Sequence, residues 1–440
     1  MTAHASALRK NTSVDWIGSI PSAWEVKPLK HMAQFMNGMA FKPSEWTEGG
    51  TPIIRIENLN GSEQFNGFSG RVDPRYHVSD GDLLFGWSGN IGTSFGPFIW
   101  SRPGLHYLNQ HIFKVTPDGC SPQWLYWCLM AVTDYVEQQA HGIIGMVHVT
   151  RGKLGAALVP VPPLCEQHTI ADFLNRETAK IDALVATQER LIALLDEKRQ
   201  ATITHAVTEG LDPTAPMKES GVEWLGPVPV EWDIKPLKFL FLVRGGATPS
   251  KDELAYWNGG IPWVTPKDMK IPVISTTEDT VSPQALSDGR LSALPTGAIL
   301  VVVRGMILAK RVPIAETSNP VTINQDMKAL IFKASGVPAF FRYFLSACAG
   351  IFDGLIEEAG HGTKTLRTDW LGRIALPAPS ASEQEAIVRY LDSSLEQFDR
   401  LTRQSTEVIE RLRERRTALI TAAVTGQIDV SRPTITEAAE

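Results

Sequence analysis

Short apolar runs separated by glycine, asparagine and proline dominate two stretches of the chain. In the stretch from Val14 to about Val161, examples are Pro52 to Ile56 (PIIRI) and Asp82 to Trp87 (DLLFGW). Runs of this length between turn residues predict β-strands. One helical segment interrupts the strands at 122–139, and it has a counterpart at 338–358. The pattern therefore predicts a mixed α+β fold that occurs twice.

A helical pattern follows each of these stretches. Proline-containing stretches at Val159–Leu164 and Leu376–Ser380 each precede a segment without glycine or proline. The first segment continues to Gly210 and the second to Gly426. Each segment has room for a helix of about 40 residues, or roughly 60 Å at 1.5 Å per residue. Apolar positions at alternating spacings of three and four residues predict a coiled-coil seam in both helices.

The seams favour pairing of the two helices with each other, because the apolar stripes are narrow, matched and long. The alternative is that each helix packs on its own globular domain. Each stripe has one polar member, Gln188 or Ser405, and a buried polar group there disfavours slipped registers. The predicted pairing residues are Ile181, Leu184, Gln188, Leu191, Leu195, Phe398, Leu401, Ser405, Val408 and Leu412.

The chain also repeats itself directly. Val14 to Lys30 (VDWIGSIPSAWEVKPLK) returns 208 positions later as Val222 to Lys238 (VEWLGPVPVEWDIKPLK). A second echo relates Glu166–Leu174 (EQHTIADFL) to Glu383–Leu391 (EQEAIVRYL) at an offset of 217. Because the two offsets differ so little, both halves have the same layout, which excludes an array of short solenoid repeats.

Length and composition narrow the class of protein. At roughly 150 residues per domain, the 440 residues accommodate two globular units and shared connecting helices. No secretory h-region opens the chain, and its four cysteines form no C-x-x-C pair, so we expect a cytoplasmic protein. The net charge of −6 argues against a simple basic clamp on nucleic acid. Any DNA binding would therefore require partners that share the electrostatic work.

Motifs for catalysis are absent from the sequence. Dinucleotide, P-loop and zinc signatures are all missing, which predicts neither a catalytic residue nor a metal site on this chain. Cys165 at a predicted helix start, with His168 as a base, is the one candidate nucleophile. A poor helix cap beside a solvated histidine explains the same residues.

The two halves differ mainly in their polar loops. His361 to Arg367 (HGTKTLR) is basic and hydroxyl-rich, and it aligns with His141 to Arg151 in the first half. Side chains of these types suit contacts with phosphates and base edges, although solvated loops would have the same composition. The candidate DNA-binding residues are Ser88, Asn90, His141, His148, Arg151, Lys267, Arg304, Lys310, Arg311, Gln325, His361, Thr363, Lys364 and Arg367.

Four features resemble one family, the specificity subunits of Type I restriction-modification systems. They are the duplicated W-(I/L)-G-x-(I/V)-P-x-x-W motif, the EQ-x-x-I-x-x-(F/Y)-L sequence after each unit, the V-T-x-G-x-(I/L)-D helix end and the long helices themselves. The order and twofold repetition of these motifs are more specific than any one of them.

The resemblance implies an α+β protein with two similar target recognition domains and an antiparallel coiled coil, related by a pseudo-twofold internal repeat. It places the recognition domains at 1–163 and 213–380, the helices at 164–212 and 381–427, and a flexible tail at 428–440.

The resemblance also implies function and partners. Each domain would recognise one half of a bipartite, asymmetric double-stranded DNA target, and the helices would set the spacer between the half-sites. Two modification subunits would bind S-adenosylmethionine, and restriction subunits would bind ATP and magnesium; this chain itself would hold no cofactor. The alternatives are a related system with a fused methyltransferase–nuclease partner and a coiled-coil adaptor that does not bind DNA.

Overall fold

The computed structural model of the protein describes residues 8–90, 92–139, 146–333, 336–347, 352, 354–358 and 363–430. The chain forms two compact units. Unit 1 comprises Met1–Glu189 and Thr406–Glu440, and unit 2 comprises Arg190–Ser405. Both boundaries fall inside long helices, so each unit is a globular domain together with one part of each helix.

Unit 1 is a mixed domain of short strands and helices. Its strands are β1 (Arg9–Asn11), β2 (Ser19–Pro21), β3 (Glu25–Pro28), β4 (Ala33–Asn37), β5 (Thr51–Ile54), β6 (Asn66–Phe68), β7 (His77–Val78), β8 (Leu83–Gly86), β9 (Ser88–Asn90), β10 (Gly96–Ile99), β11 (His106–Leu108), β12 (Ile112–Pro117), β13 (Met146–His148) and β14 (Leu158–Val161). Its helices are α1 (Ile56–Leu59), α2 (Pro122–Gln139), α3 (Arg151–Ala156) and the first part of the long helix α4 (Leu164–Thr208). The predicted strands and the predicted helix at 122–139 are confirmed.

Two four-stranded sheets form the framework of unit 1, in the orders β10-β8-β12-β4 and β6-β5-β11-β7. The apolar run that begins at Leu83 becomes a central strand, because β10 and β12 cover its two edges and all four of its residues are buried. The largest side chain of the main core with no exposed surface, Trp124, comes from α2.

Unit 2 repeats this mixture. Its strands are β15 (Met217–Glu219), β16 (Pro227–Pro229), β17 (Asp233–Pro236), β18 (Phe241–Gly245), β19 (Trp257–Val264), β20 (Val273–Ile274), β21 (Thr280–Val281), β22 (Ile299–Val302), β23 (Ile314–Thr317), β24 (Thr322–Ile323), β25 (Met327–Phe332), β26 (Ile356–Glu358), β27 (Lys364–Leu366) and β28 (Ala375–Ala378). Its helices are α5 (Leu237–Leu240), α6 (Pro283–Ser287), α7 (Pro338–Ala347), α8 (Thr368–Leu371) and the first part of the long helix α9 (Ala381–Val424).

The sheets of unit 2 have the orders β18-β25-β22-β23-β20 and β21-β19-β24. Each unit has a corresponding parallel pair, β5 with β11 and β19 with β24, and unit 2 has a second parallel pair, β20 with β23. This shared topology confirms the internal repeat. One helix prediction is wrong at its end, because α7 covers only Pro338–Ala347 and residues 356–358 pair as a strand with β27.

The long helices run antiparallel within each unit, which confirms the predicted sense of pairing. In unit 1, Arg416 Nε lies 2.9 Å from Asp182 Oδ1, and Arg413 Nη2 lies 3.0 Å from Glu189 Oε1. Residue numbers therefore fall along α9 as they rise along α4. In unit 2, the Arg199 guanidinium pairs with Asp399.

The long helices also pack on the globular domains, so both modes of packing considered for them occur. Ile420, Ala423 and Val424 near the end of α9 belong to the core of unit 1. Ala206 and Val207 near the end of α4 belong to the core of unit 2. Each globular domain is thus covered by the start of one long helix and the end of the other.

The paired surface differs from the predicted seam at four positions. Leu184 and Leu401 are 52% and 43% exposed, and Leu191 and Val408 are exposed as well. The buried or half-buried stripe of α4 contains Leu174, Thr178, Ile181, Val185, Gln188, Ile192 and Leu195. The corresponding stripe of α9 contains Leu391, Leu395, Phe398, Thr402, Ser405, Ile409 and Leu412.

The globular cores explain this correction. Leu174 and Leu391 are fully buried in the domain cores, and each sets the phase of its helix. Starting at these two leucines, the buried positions follow one another at spacings of four and then three residues along each helix. This spacing places Val185 and Ile409 on the buried face instead of Leu184 and Val408.

A buried glutamine attaches each long helix to its domain. In unit 1, Gln167 Oε1 accepts from Ser121 N at 2.8 Å and Gln167 Nε2 donates to Pro162 O at 2.9 Å. In unit 2, Gln384 Oε1 accepts from Val337 N at 3.0 Å and Gln384 Nε2 donates to Pro379 O at 2.8 Å. These are the glutamines of the repeated EQ motif, which therefore joins the start of each long helix to the start of α2 or α7.

Candidate nucleic-acid interface

A polar cavity of about 470 Å³ lies in unit 1. Its walls come from the ends of the parallel strands β5 and β11 and from the short antiparallel pair β9 and β13. The polar side chains that line it include Arg55, Asn60, Ser88, Asn90, Asn109, His111 and His148. The structure thus brings His148 together with two predicted residues that are distant from it in sequence, Ser88 and Asn90.

Backbone pairing fixes this arrangement. β9 and β13 are antiparallel, and their register places Ser88 opposite His148 and Asn90 opposite Met146. Just beyond the pair, Val149 N donates to Trp87 O at 3.0 Å. Ser88 is buried, whereas Asn90 and His148 are exposed.

Arg55 is the one arginine or lysine among the described residues that line the cavity, and several contacts hold it. Its Nη1 donates to Asn66 Oδ1 at 2.8 Å and lies 3.1 Å from Glu57 Oε1. The guanidinium carbon lies 4.7 Å from the centre of the Trp46 ring. The backbone N of Arg55 donates to Asn58 Oδ1 at 2.8 Å, which fixes the turn that follows β5. A guanidinium fixed in position beside amide and imidazole groups offers directional hydrogen-bond donors and acceptors. Recognition of base edges requires groups of this kind.

Sequence reasoning missed four of the lining residues, Arg55, Asn60, Asn109 and His111. One signal was present, because Asn109 and Asn324 stand at matching places in the two halves. The matching turns after β5 and β19 were the second signal. Neither signal shows that the residues share a cavity, since that depends on the strand order.

Unit 2 has the same backbone frame at the corresponding place. An antiparallel bridge joins Arg304 and Thr365, as β9 and β13 join Ser88 and His148. Leu366 N donates to Val303 O at 2.8 Å, which repeats the bond between Val149 and Trp87.

Two further contacts repeat. Asn324 N donates to Val264 O at 3.0 Å, as Asn109 N donates to Ile54 O at 3.1 Å. Thr265 N donates to Asp268 Oδ2 at 2.8 Å, as Arg55 N donates to Asn58. These bonds define equivalent positions, which are Arg55 with Thr265, Glu57 with Lys267, Ser88 with Arg304, Asn109 with Asn324, and His148 with Thr365.

The side chains at these positions differ in charge. Unit 1 has one cation, Arg55, which is paired with Glu57. Unit 2 has the two cations Lys267 and Arg304, and both are exposed. At these five positions the frame therefore presents a neutral set of polar groups in unit 1 and two cations in unit 2, where Asp268 and Asp326 stand at the places of Asn58 and His111.

Six other predicted residues fall into two groups. Lys364 and Arg367 have carboxylate partners, since Lys364 Nζ lies 2.6 Å from Glu358 Oε2 and Arg367 pairs with Glu357 and Asp369. Its bond to Lys364 lowers the pKa of Glu358. The exposed group consists of Arg151, Lys310, Arg311 and Gln325, and the hydroxyl of Thr248 bonds the amide of Gln325.

The last three predicted residues are Thr363, His141 and His361. Thr363 is half-buried next to β27. His141 and His361 lie outside the described residues. A role in DNA binding stays a prediction for all fourteen residues.

The alternative chemistry has no assembled site among the residues described. Cys165 and His168 are both exposed in the first turn of α4, away from the cavity. Burial raises the pKa of Cys120 to about 11 and also raises the pKa of Cys128. Over the described ranges, no three His, Cys, Asp or Glu side chains cluster as metal ligands, and no helix is both long and apolar enough to cross a membrane.

Comparison with known proteins gives one consistent family. The family model for the Type I restriction modification DNA specificity domain matches residues 21–192 and 229–411. The EcoR124I/EcoR124II specificity subunit of a Type I restriction enzyme from Escherichia coli is 33% identical over 183 residues. That match covers 41% of this chain and 44% of the subunit, so the chain spans less than half of this relative.

Two other similarities extend over nearly the whole chain. The EcoBI specificity subunit from Escherichia coli is 25% identical over 439 residues, covering 94% of this chain and 88% of that subunit. A solved chain from work on complex assembly and conformational transition of the type I R-M system has a TM-score of 0.65 and 18% identity. It covers 93% of this chain and 99% of its own length, which supports the fold.

Proposed function

The chain belongs to the family of Type I restriction modification DNA specificity domains, and from this we propose that it is the DNA-recognition subunit of a Type I restriction-modification complex. Each globular domain recognises one half of a bipartite, asymmetric target in double-stranded DNA. The chain catalyses no reaction, and modification and cleavage belong to its partner subunits.

One observation carries the proposal: the two units place different side chains on the same backbone frame. Arg304 stands where Ser88 stands, and Lys267 stands where Glu57 stands. Base-edge contacts depend on side chains, whereas the fold only positions them. Two such frames on one chain therefore suit two different half-sites, which is what an asymmetric target requires.

The outer faces of the long helices support partner binding. In unit 1, Leu184 and Val408 are exposed, and in unit 2 so are Leu191, Leu194 and Leu401. Exposed leucines at regular spacing on a helix are typical of a surface that another helix covers. We propose that two modification subunits dock there and that restriction subunits join the assembly.

Cofactors belong to these partners in the proposal. The modification subunits bind S-adenosylmethionine, and the restriction subunits bind ATP and magnesium. A shared DNA surface also accounts for the net charge of −6, because the partners supply part of the cationic surface.

The long helices set the spacer between the half-sites in the proposal. B-DNA rises about 3.4 Å per base pair, and four residues of helix rise about 6 Å. A helix change of four residues therefore corresponds to roughly one or two base pairs of spacer.

The test is single-molecule methylation sequencing of a genome in cells that express the chain with its modification subunit. Cells that lack only this chain are the control. We expect a bipartite, asymmetric methylated motif that is present only with the chain. An intact purified complex that yields no motif would contradict the proposal and favour the adaptor alternative.

A further inference from the structure

Arg304 combines a fixed backbone with an exposed charge. It follows the buried strand β22, and its N donates to Asp326 O at 3.2 Å. The residues on either side are fixed too, since Val303 N donates to Asp326 O at 2.8 Å and Gly305 N donates to Lys364 O at 3.0 Å. The bridge to Thr365 holds the other edge. The guanidinium therefore extends from a rigid base, which is what specific recognition needs.

The charge of Arg304 is also uncompensated. Within the part of the chain that the structure describes, no carboxylate forms an ion pair with Arg304, whereas Lys364 and Arg367 nearby are both paired. An exposed, unpaired guanidinium on a fixed backbone keeps its donors available for a ligand.

The equivalent position in unit 1 indicates the kind of ligand. Ser88 lies in the wall of the polar cavity beside Asn90, Asn109 and His148. Amide and imidazole groups can distinguish base edges by their donor and acceptor patterns, whereas phosphate contacts do not depend on the base sequence. Arg304 thus occupies a place where the other domain presents groups suited to bases.

We infer that Arg304 recognises a guanine in the half-site of unit 2, donating through its guanidinium fork to O6 and N7 in the major groove. A planar fork matches these two acceptors, and this pairing is the commonest specific contact between proteins and DNA. Lys310 and Arg311, exposed on the loop that follows, contact phosphates instead. The inference rests on the proposed function, because it assumes that unit 2 binds a DNA half-site.

The experiment compares methylated motifs in cells that express the wild-type chain, R304A, R304K or K310A with the modification subunit. We expect R304A to relax one guanine position in one half of the motif, with discrimination there falling about 10- to 100-fold. R304K should relax the same position, because an ammonium keeps the charge but lacks the planar fork. K310A should lower methylation at all sites and leave the motif unchanged.

Each outcome is informative. An unchanged motif in R304A would overturn the inference. A uniform loss of methylation with an unchanged motif in R304K would make Arg304 a phosphate contact and overturn it as well. If R304A abolishes methylation, the motif of R304K decides between the two. A wild-type chain that gives no bipartite motif would instead refute the proposed function, so the two failures are distinguishable.

Discussion

At the residue scale, the paired glutamines show how a short motif determines structure. Gln167 is 2% exposed and Gln384 is 6% exposed, and each bonds one backbone N–H and one backbone carbonyl. A buried backbone group that loses its partner costs about 1 to 3 kcal/mol. The glutamine therefore contributes to stability through two backbone groups that have no other partner among the described residues.

Replacing Gln167 by Met should lower the free energy of unfolding by about 2 to 4 kcal/mol, because Met keeps the volume but bonds neither Ser121 N nor Pro162 O. Gln384→Met should have a similar effect. Urea-induced unfolding of the purified chain measures both values. Gln200→Met, at an exposed position of the same helix α4, is the control and should change the free energy little. Equal effects at all three positions would disprove the role of the buried bonds.

The candidate site was partly predictable at this scale. Ser88, Asn90 and His148 are polar residues in segments that differ between the halves, which the sequence reveals directly, although the structure places them in strands β9 and β13. Arg55 and His111 are not, because their place on the cavity wall depends on the parallel pairing of β5 with β11. The equivalence of His148 with Thr365 likewise required the strand register, since the two loops differ in length.

At the element scale, the long helices were predictable in extent and in pairing. α4 and α9 span 45 and 44 residues, and both run antiparallel to each other in each unit. Their seam was predictable only in part. Leu184 and Leu191 fit a spacing of three and then four residues as well as Val185 and Ile192 fit the observed spacing of four and then three. Hydrophobicity alone therefore does not select which of these residues face the partner helix. The buried residues of the domain cores select them.

Two adjacent leucines test the corrected seam. Leu195 is 8% exposed and Leu194 is 47% exposed. Leu195→Ala should lower the free energy of unfolding by about 2 to 4 kcal/mol, because it leaves a cavity between packed helices. Leu194→Ala removes the same atoms from an exposed position and should cost less than about 1 kcal/mol.

Thermal unfolding followed by circular dichroism compares these two variants with the wild type. A larger loss of stability in Leu194→Ala than in Leu195→Ala would reject the observed phase. In the proposed function Leu194→Ala should also weaken co-purification of the modification subunit, because Leu194 belongs to the exposed helix surface.

At the scale of the whole molecule, duplication provides two recognition frames and two helices on one chain. The predicted spacer function follows from helix length. Inserting seven residues into both α4 and α9 preserves the heptad phase and lengthens each helix by about 10 Å. We expect the methylated motif to keep both half-sites and gain about three base pairs of spacer. Methylation sequencing measures the spacer directly, and an unchanged spacer would show that the helices do not set it.

If each globular domain recognises its own half-site, an exchange of one domain changes one half of the methylated motif. Residues 14–163 would be replaced by residues 222–380, which begin at the same motif and end at the same helix start. The methylated motif of the genome is then sequenced in cells that express this chain with the modification subunit. We expect a motif in which both half-sites have the sequence that unit 2 recognises. A motif that keeps the original first half-site would contradict it.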